Sequence, residues 1–201
     1  MNITAQRLRQ LAWLACALPA VYLTQQALTL SLGANPVEKL EHETGSWALL
    51  LLLCCLAVTP LRQLTGWNTL APLRRTFGLF AFAYACVHVL VYAVLDRSLL
   101  WSELLLDLTK RPYVMLGAAA FLALAVLAAT SPKVMVKKLG ASAWKRLHTL
   151  VYAAGVLAVA HFAWLKWDKN LLDRPAMYGA VLALLLAWRL WFVYRSSSGR
   201  S

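Results

Sequence analysis

The sequence predicts an all-α integral membrane bundle of six transmembrane helices. Three observations predict it. The chain is 61% apolar and 14% charged, with a mean hydropathy of +0.63, whereas a soluble domain is near half apolar and about a quarter charged. Six apolar runs approach the ~20 residues that a bilayer crossing needs. The charges between those runs segregate by sign into alternate loops.

The runs are Leu8–Leu30, Ser46–Thr59, Phe77–Leu95, Pro112–Thr130, Leu147–Leu165 and Pro175–Tyr194. The first follows Arg7 and Arg9 like a signal peptide. It is longer than the 7–15 apolar residues of a signal sequence, so it reads as a retained helix. The second is short and is expected to extend back into the loop or on past Pro60. Pro112 and Pro175 stand where helices start. Pro60 and Pro132 read as following helix ends. The connections are too short for a soluble domain, and no G-x-G-x-x-G or G-x-x-x-x-G-K-[ST] appears, so residues 1–201 read as one membrane domain. No internal repeat is evident.

Orientation follows from charge. The N-terminus, Leu61–Thr76, Ser131–Arg146 and the tail after Tyr194 carry basic residues and no Asp or Glu. All eight acidic residues lie in Gly33–Gly45, Asp96–Arg111 and Lys166–Arg174: Glu38, Glu41, Glu43, Asp96, Glu103, Asp107, Asp168 and Asp173. The positive-inside rule puts the first set, and both termini, in the cytoplasm of a multi-pass inner-membrane protein. The same rule accounts for the net charge of +12 without nucleic acid. Tryptophans near span ends read as an interfacial belt.

Cys16, Cys54, Cys55 and Cys86 fall inside apolar runs with no C-x-x-C or C-x-x-C-H. They read as buried small side chains, and covalent haem attachment or a cysteine metal site is excluded. Histidine carries more information. His42 sits between Glu41 and Glu43 and reads as a solvated loop residue. His88, His148 and His161 are intramembrane, where ionisable groups are costly and usually functional. His88 lies 13 residues beyond Arg75, and His161 lies 15 beyond Arg146. Their depths therefore differ by about 3 Å at the helical rise. His148 and Arg74 lie near the cytoplasmic surface, so the chain has an inner and an outer level.

The thirteen-residue spacing from His148 to His161 rises about 19.5 Å but turns through about 220°, which is not one helix face. Either a π-bulge near Gly155 restores alignment or the two rings meet different partners. Depth-matched histidines on different spans suit the axial positions of a b-type haem held between helices. Gly45, Gly78, Gly117 and Gly155 would leave space for the macrocycle. The blander alternative is that each histidine hydrogen-bonds across helices. A small transporter with a histidine proton relay is a further class, disfavoured because the spans lack Asp and Glu.

These residues resemble the ferric reductase-like transmembrane family shared by ferric reductases and NADPH oxidases. They most resemble its short bacterial branch, MsrQ or YedZ. The matching stretches are Arg74–Leu79, His88, Thr130–Pro132, Trp144–Tyr152 and His161–Phe162. The Trp-x-x-Leu-His-x-Leu-x-Tyr stretch is the most specific, and the likeness covers nearly the whole chain. The resemblance implies haem b, one or two per chain, with His88, His148 and His161 as axial ligands of iron. Arg74 stands where the wider superfamily has a fourth histidine, leaving it a propionate contact, an unusual ligand or a topology charge. The resemblance also implies an electron-transfer subunit rather than a self-contained catalyst. Electrons would come from quinone or a flavin reductase, with FMN as a further cofactor. They would pass to a periplasmic MsrP-type molybdopterin subunit that repairs methionine sulfoxide in oxidised proteins. A ferric or cupric reductase acting directly at the outer face is the alternative with the same cofactor.

Overall fold

The computed structural model describes residues 3–167 and 171–198. Within them the chain forms α1 (Ile3–Leu28), α2 (Pro36–Thr65), α3 (Ala71–Leu90), α4 (Trp101–Lys110), α5 (Pro112–Ala129), α6 (Lys133–Leu139), α7 (Ala141–Leu147), α8 (Leu150–Trp167) and α9 (Asp173–Ser198). The described residues contain no strand. Six segments are long and apolar enough to cross a membrane: Thr4–Leu28, Pro36–Thr65, Asn68–Asp96, Pro112–Ala129, Ala141–Trp167 and Asp173–Arg195. The molecule is a multi-pass membrane protein. Asp168 and Arg200, which enter the charge asymmetry, lie outside the described residues.

Several boundaries differ from the sequence reading, each for a local reason. The second span runs from Pro36 to Thr65 rather than from Ser46 to Thr59. Asn35 caps its start by accepting a hydrogen bond from the Glu38 backbone N–H, and Pro36 occupies the first turn. Its end comes at Gly66, whose φ of 71° closes a left-handed cap with its N–H on the Arg62 carbonyl. Pro60 therefore lies inside the helix, not after it. His42 is helical too and is not a loop residue. Its Nε2 lies 3.4 Å from a Glu38 carboxylate oxygen and 3.1 Å from the Lys166 Nζ. Between Asp96 and Arg111, read as a plain loop, lies the helix α4.

The core is centred on α2. Leu49, Leu51, Leu52, Leu53 and Leu56 pack with Ala81, Tyr84 and Ala85 of α3, Ala123, Leu124 and Leu127 of α5, Val151 and Ala154 of α8, and Leu182 of α9. Small residues at the crossings let helices approach closely, which is how membrane bundles gain contact without a hydrophobic drive. Ala81 and Ala154 are completely buried. The buried Tyr84 hydroxyl donates to the Cys16 carbonyl at 2.8 Å and pins α1 against α3. Leu11, Leu14 and Leu18 of α1 and Leu184 and Leu190 of α9 are exposed, as expected of lipid-facing flanks.

Two antiparallel hairpins make up the centre. The first is α2 with α3, and the second is α5 with α8, joined by contact of α3 with α5. Alternation of the spans puts the basic connections at one face of the bundle and the acidic ones at the other.

Candidate functional site

Two of the three intramembrane histidines, His88 and His161, meet across the seam between the hairpins. Their ring centroids are 6.3 Å apart, with ring planes 77° to one another. The His88 Nδ1 lies 3.0 Å from the Glu41 carbonyl oxygen, and the His161 Nδ1 lies 2.6 Å from that of Tyr113. A carbonyl only accepts, so each Nδ1 must carry the proton. Each Nε2 then keeps its lone pair, the tautomer and orientation of a metal-ligating imidazole.

A glycine seats each ring. A Cβ built on Gly45 would come within 3.1–3.2 Å of the His88 ring, and one on Gly117 within 2.8–2.9 Å of the His161 ring. Both glycines therefore make room for an imidazole rather than for a macrocycle. Gly78 faces the Cys55 Sγ at 3.5 Å and Gly155 faces Leu182 at 3.2 Å, so these two serve helix packing.

The two half-sites repeat one another. In each, a carbonyl precedes the glycine by one helical turn, and the histidine follows that carbonyl by 47 residues in the first hairpin and 48 in the second. The sequence shows no repeat because only three positions per hairpin carry it, and one is a backbone atom with no residue identity.

The inner level is built differently. His148 caps the end of α7, and His148 and Thr149 form a turn before α8 starts at Leu150. No π-turn occurs at Gly155; the one among the described residues is Val91–Asp96, just after His88. His148 and His161 accordingly meet different partners. The His148 ring stacks on Trp144 at 3.9 Å, and its Nε2 is 3.2 Å from the Thr130 hydroxyl. Trp144 Nε1 donates to the Thr130 carbonyl at 2.8 Å, so Thr130 and Trp144 together fix the ring. The half-buried Arg74 lies close enough for its charge to act on His148. The structure thus brings His88 to His161. It gives the inner level one imidazole and the outer level two.

The family model described as "Ferric reductase like transmembrane component" matches residues 44–159. That is more than half of the chain. The chain belongs to the ferric reductase-like transmembrane family. Curated relatives agree over a longer stretch, each named "Protein-methionine-sulfoxide reductase heme-binding subunit MsrQ". The chain is 45% identical to the protein of Bordetella pertussis over 96% of its own length and 94% of the relative's. It is 43% identical to that of Ralstonia nicotianae over 92% and 85%, and 49% identical to that of Xanthomonas campestris over 80% and 72%.

The ferric reductase-like match holds Gly45, Arg74, His88, Gly117, Thr130 and His148, and stops two residues short of His161. Within this scaffold, sequence reasoning missed the two ring seats, the carbonyls of Glu41 and Tyr113, and the Thr130–Trp144 clamp. The seats had a signal only in part: Gly117 lies five residues into its span, while Gly45 lies nine residues into α2, in a stretch that the sequence reading left in the acidic loop before Ser46.

Proposed function

We propose that the chain is the haem-binding, electron-carrying membrane subunit of a methionine sulfoxide reductase system. The observation that carries this reading is the facing pair His88 and His161, each with Nδ1 held by a carbonyl. Metal–imidazole bonds run near 2 Å, so rings about 6 Å apart leave room for one six-coordinate metal between them. The donor set of two neutral imidazoles suits haem b. The names of the relatives support that cofactor and that system.

Bound haem supplies a one-electron iron couple. The protein's part is positional. His88 and His161 would hold the haem, each through the Nε2 left free by its Nδ1 contact. The Glu41 and Tyr113 carbonyls keep the Nδ1 protons in place while electrons pass. At the inner level, His148 would hold a second haem, and Arg74 would meet a propionate, act as an unusual ligand or serve only as a topology charge. The basic face is the cytoplasmic face of the inner membrane, where quinone or a flavin reductase delivers electrons, with FMN as the family resemblance implies. The acidic face is periplasmic, where an MsrP-type molybdopterin subunit receives them.

A pyridine haemochrome assay with protein quantification tests the reading. Wild type should carry haem b, and His88→Ala and His161→Ala should each lose most of the outer haem, because no nearby side chain replaces the lost ligand. Full Soret absorbance in both variants would refute the pair. Reconstitution with the molybdopterin subunit should then give methionine sulfoxide reduction. Faster transfer to a soluble ferric chelate than to that subunit would move the reading to a ferric reductase.

A further inference from the structure

We infer that Asp107 is the positioning residue for the His88–His161 pair, locking through Tyr92 and Arg111 the two backbone segments that carry and orient the rings. The inference rests on the reading of the pair as haem ligands. Its starting point is an inversion in α4. The buried residue of this helix is the carboxylate Asp107, while Trp101, Leu105 and Leu106 are exposed. A helix with apolar residues outward and an acid inward fits a bilayer boundary, where the apolar side meets lipid. It also requires partners for the buried charge.

Asp107 has three partners. Its Oδ2 accepts from the Tyr92 hydroxyl at 2.7 Å and pairs with the Arg97 Nε at 2.9 Å. Its Oδ1 pairs with the Arg111 Nε at 3.0 Å. Arg97 also covers the Tyr92 ring at 5.7 Å and pairs with Asp96. Holding α4 on the bundle would need only one of these contacts. The other two lead to the histidines.

Tyr92 stands four residues after His88, inside the π-turn Val91–Asp96 where the helix widens. Fixing its hydroxyl fixes the phase of the turn that follows His88. On the other side, Arg111 donates from Nη1 to the Tyr113 hydroxyl at 3.0 Å. Tyr113 is the residue whose carbonyl holds the His161 Nδ1. A continuous chain of contacts therefore runs from the His88 segment through Tyr92, Asp107, Arg111 and Tyr113 to His161, closing over the acidic end of the seam. Loss of its central carboxylate would let the two rings shift relative to each other without removing either one.

The test compares purified wild type with Asp107→Asn, Tyr92→Phe and Arg111→Lys, using the exposed Ser102→Ala as the control on the same helix. Haem per chain is measured by pyridine haemochrome. The low-spin electron paramagnetic resonance signal and the midpoint potential are then read at full occupancy. Each of the three variants should move the low-spin g values and the midpoint potential, and Asp107→Asn should lose at least half of the six-coordinate signal. Ser102→Ala should match wild type. A merely structural Asp107 would lower yield or melting temperature and leave the signature of the bound haem unmoved, which would overturn the inference. Should Asp107→Asn fail to fold, Tyr92→Phe and Arg111→Lys decide, and wild-type signatures in both overturn it. A wild type without haem would refute the parent reading and this role together. Haem in the wild type with unmoved variants would refute this role alone.

Discussion

At the scale of single residues, the fit of each ring on its glycine makes a graded prediction. Gly117→Ala places a methyl within 2.8–2.9 Å of the His161 ring, closer than real contacts allow, and the ring is already fixed by Tyr113. Gly45→Ala reaches the His88 ring at 3.1–3.2 Å, and Gly155→Ala meets only the tips of Leu182 and Leu56. Haem content should therefore fall most in Gly117→Ala, less in Gly45→Ala and least in Gly155→Ala; equal content in all three would contradict the seating. Arg74 and His148 give the second prediction at this scale. Arg74→Ala and His148→Ala should change the inner haem's content or potential and spare the outer signal. Arg74→Lys should rescue poorly, since an ammonium does not copy the planar guanidinium. Wild-type spectra in all three would leave Arg74 as a topology charge. The histidines themselves were legible because an imidazole in an apolar run is rare. Their seats were harder to read, because glycine in a membrane helix has many uses and only the neighbouring ring distinguishes this one.

At the scale of elements, helix existence was legible and helix interruption was not. Hydropathy marks a span but is blind to where the hydrogen-bond ladder shifts, so the break at His148–Thr149 and the π-turn after His88 left no trace in composition. Helix α4 escaped because its pattern is amphipathic and too short to span, and it sits among charges that read as a loop. Pro60 was misplaced because a bilayer helix tolerates proline once its neighbours absorb the lost bond. The hinge between α6 and α7 offers a test. Gly140 has φ 76° and ψ 150°, a backbone state essentially closed to other residues. Gly140→Ala should cost about 1–3 kcal/mol. Because α7 carries Trp144 and leads into His148, the loss should appear as a lower melting temperature together with a perturbed inner signal. A thermal-shift series in detergent, read beside the absorbance spectrum, checks both.

For the whole molecule, the sign of the loop charges makes the topology testable. Reporter fusions after Ser131 and after Ser201 should read cytoplasmic, and fusions near Ala34 and Leu171 should read periplasmic. A periplasmic C-terminus would reverse the direction of electron flow proposed here. Bundle class and span number were legible because lipid imposes them on composition directly. The partition into two hairpins was not, since each contributes one imidazole, one glycine and one carbonyl that come together only in three dimensions. That partition has a consequence for how the protein is made. The α2–α3 hairpin leaves the ribosome before the α5–α8 hairpin, and on the proposed ligation it would hold only one of the two outer ligands. Retention of the cofactor would then wait until α8 inserts and brings His161 across the seam. A cofactor held by both histidines would tie one hairpin to the other, and its binding energy would become assembly energy.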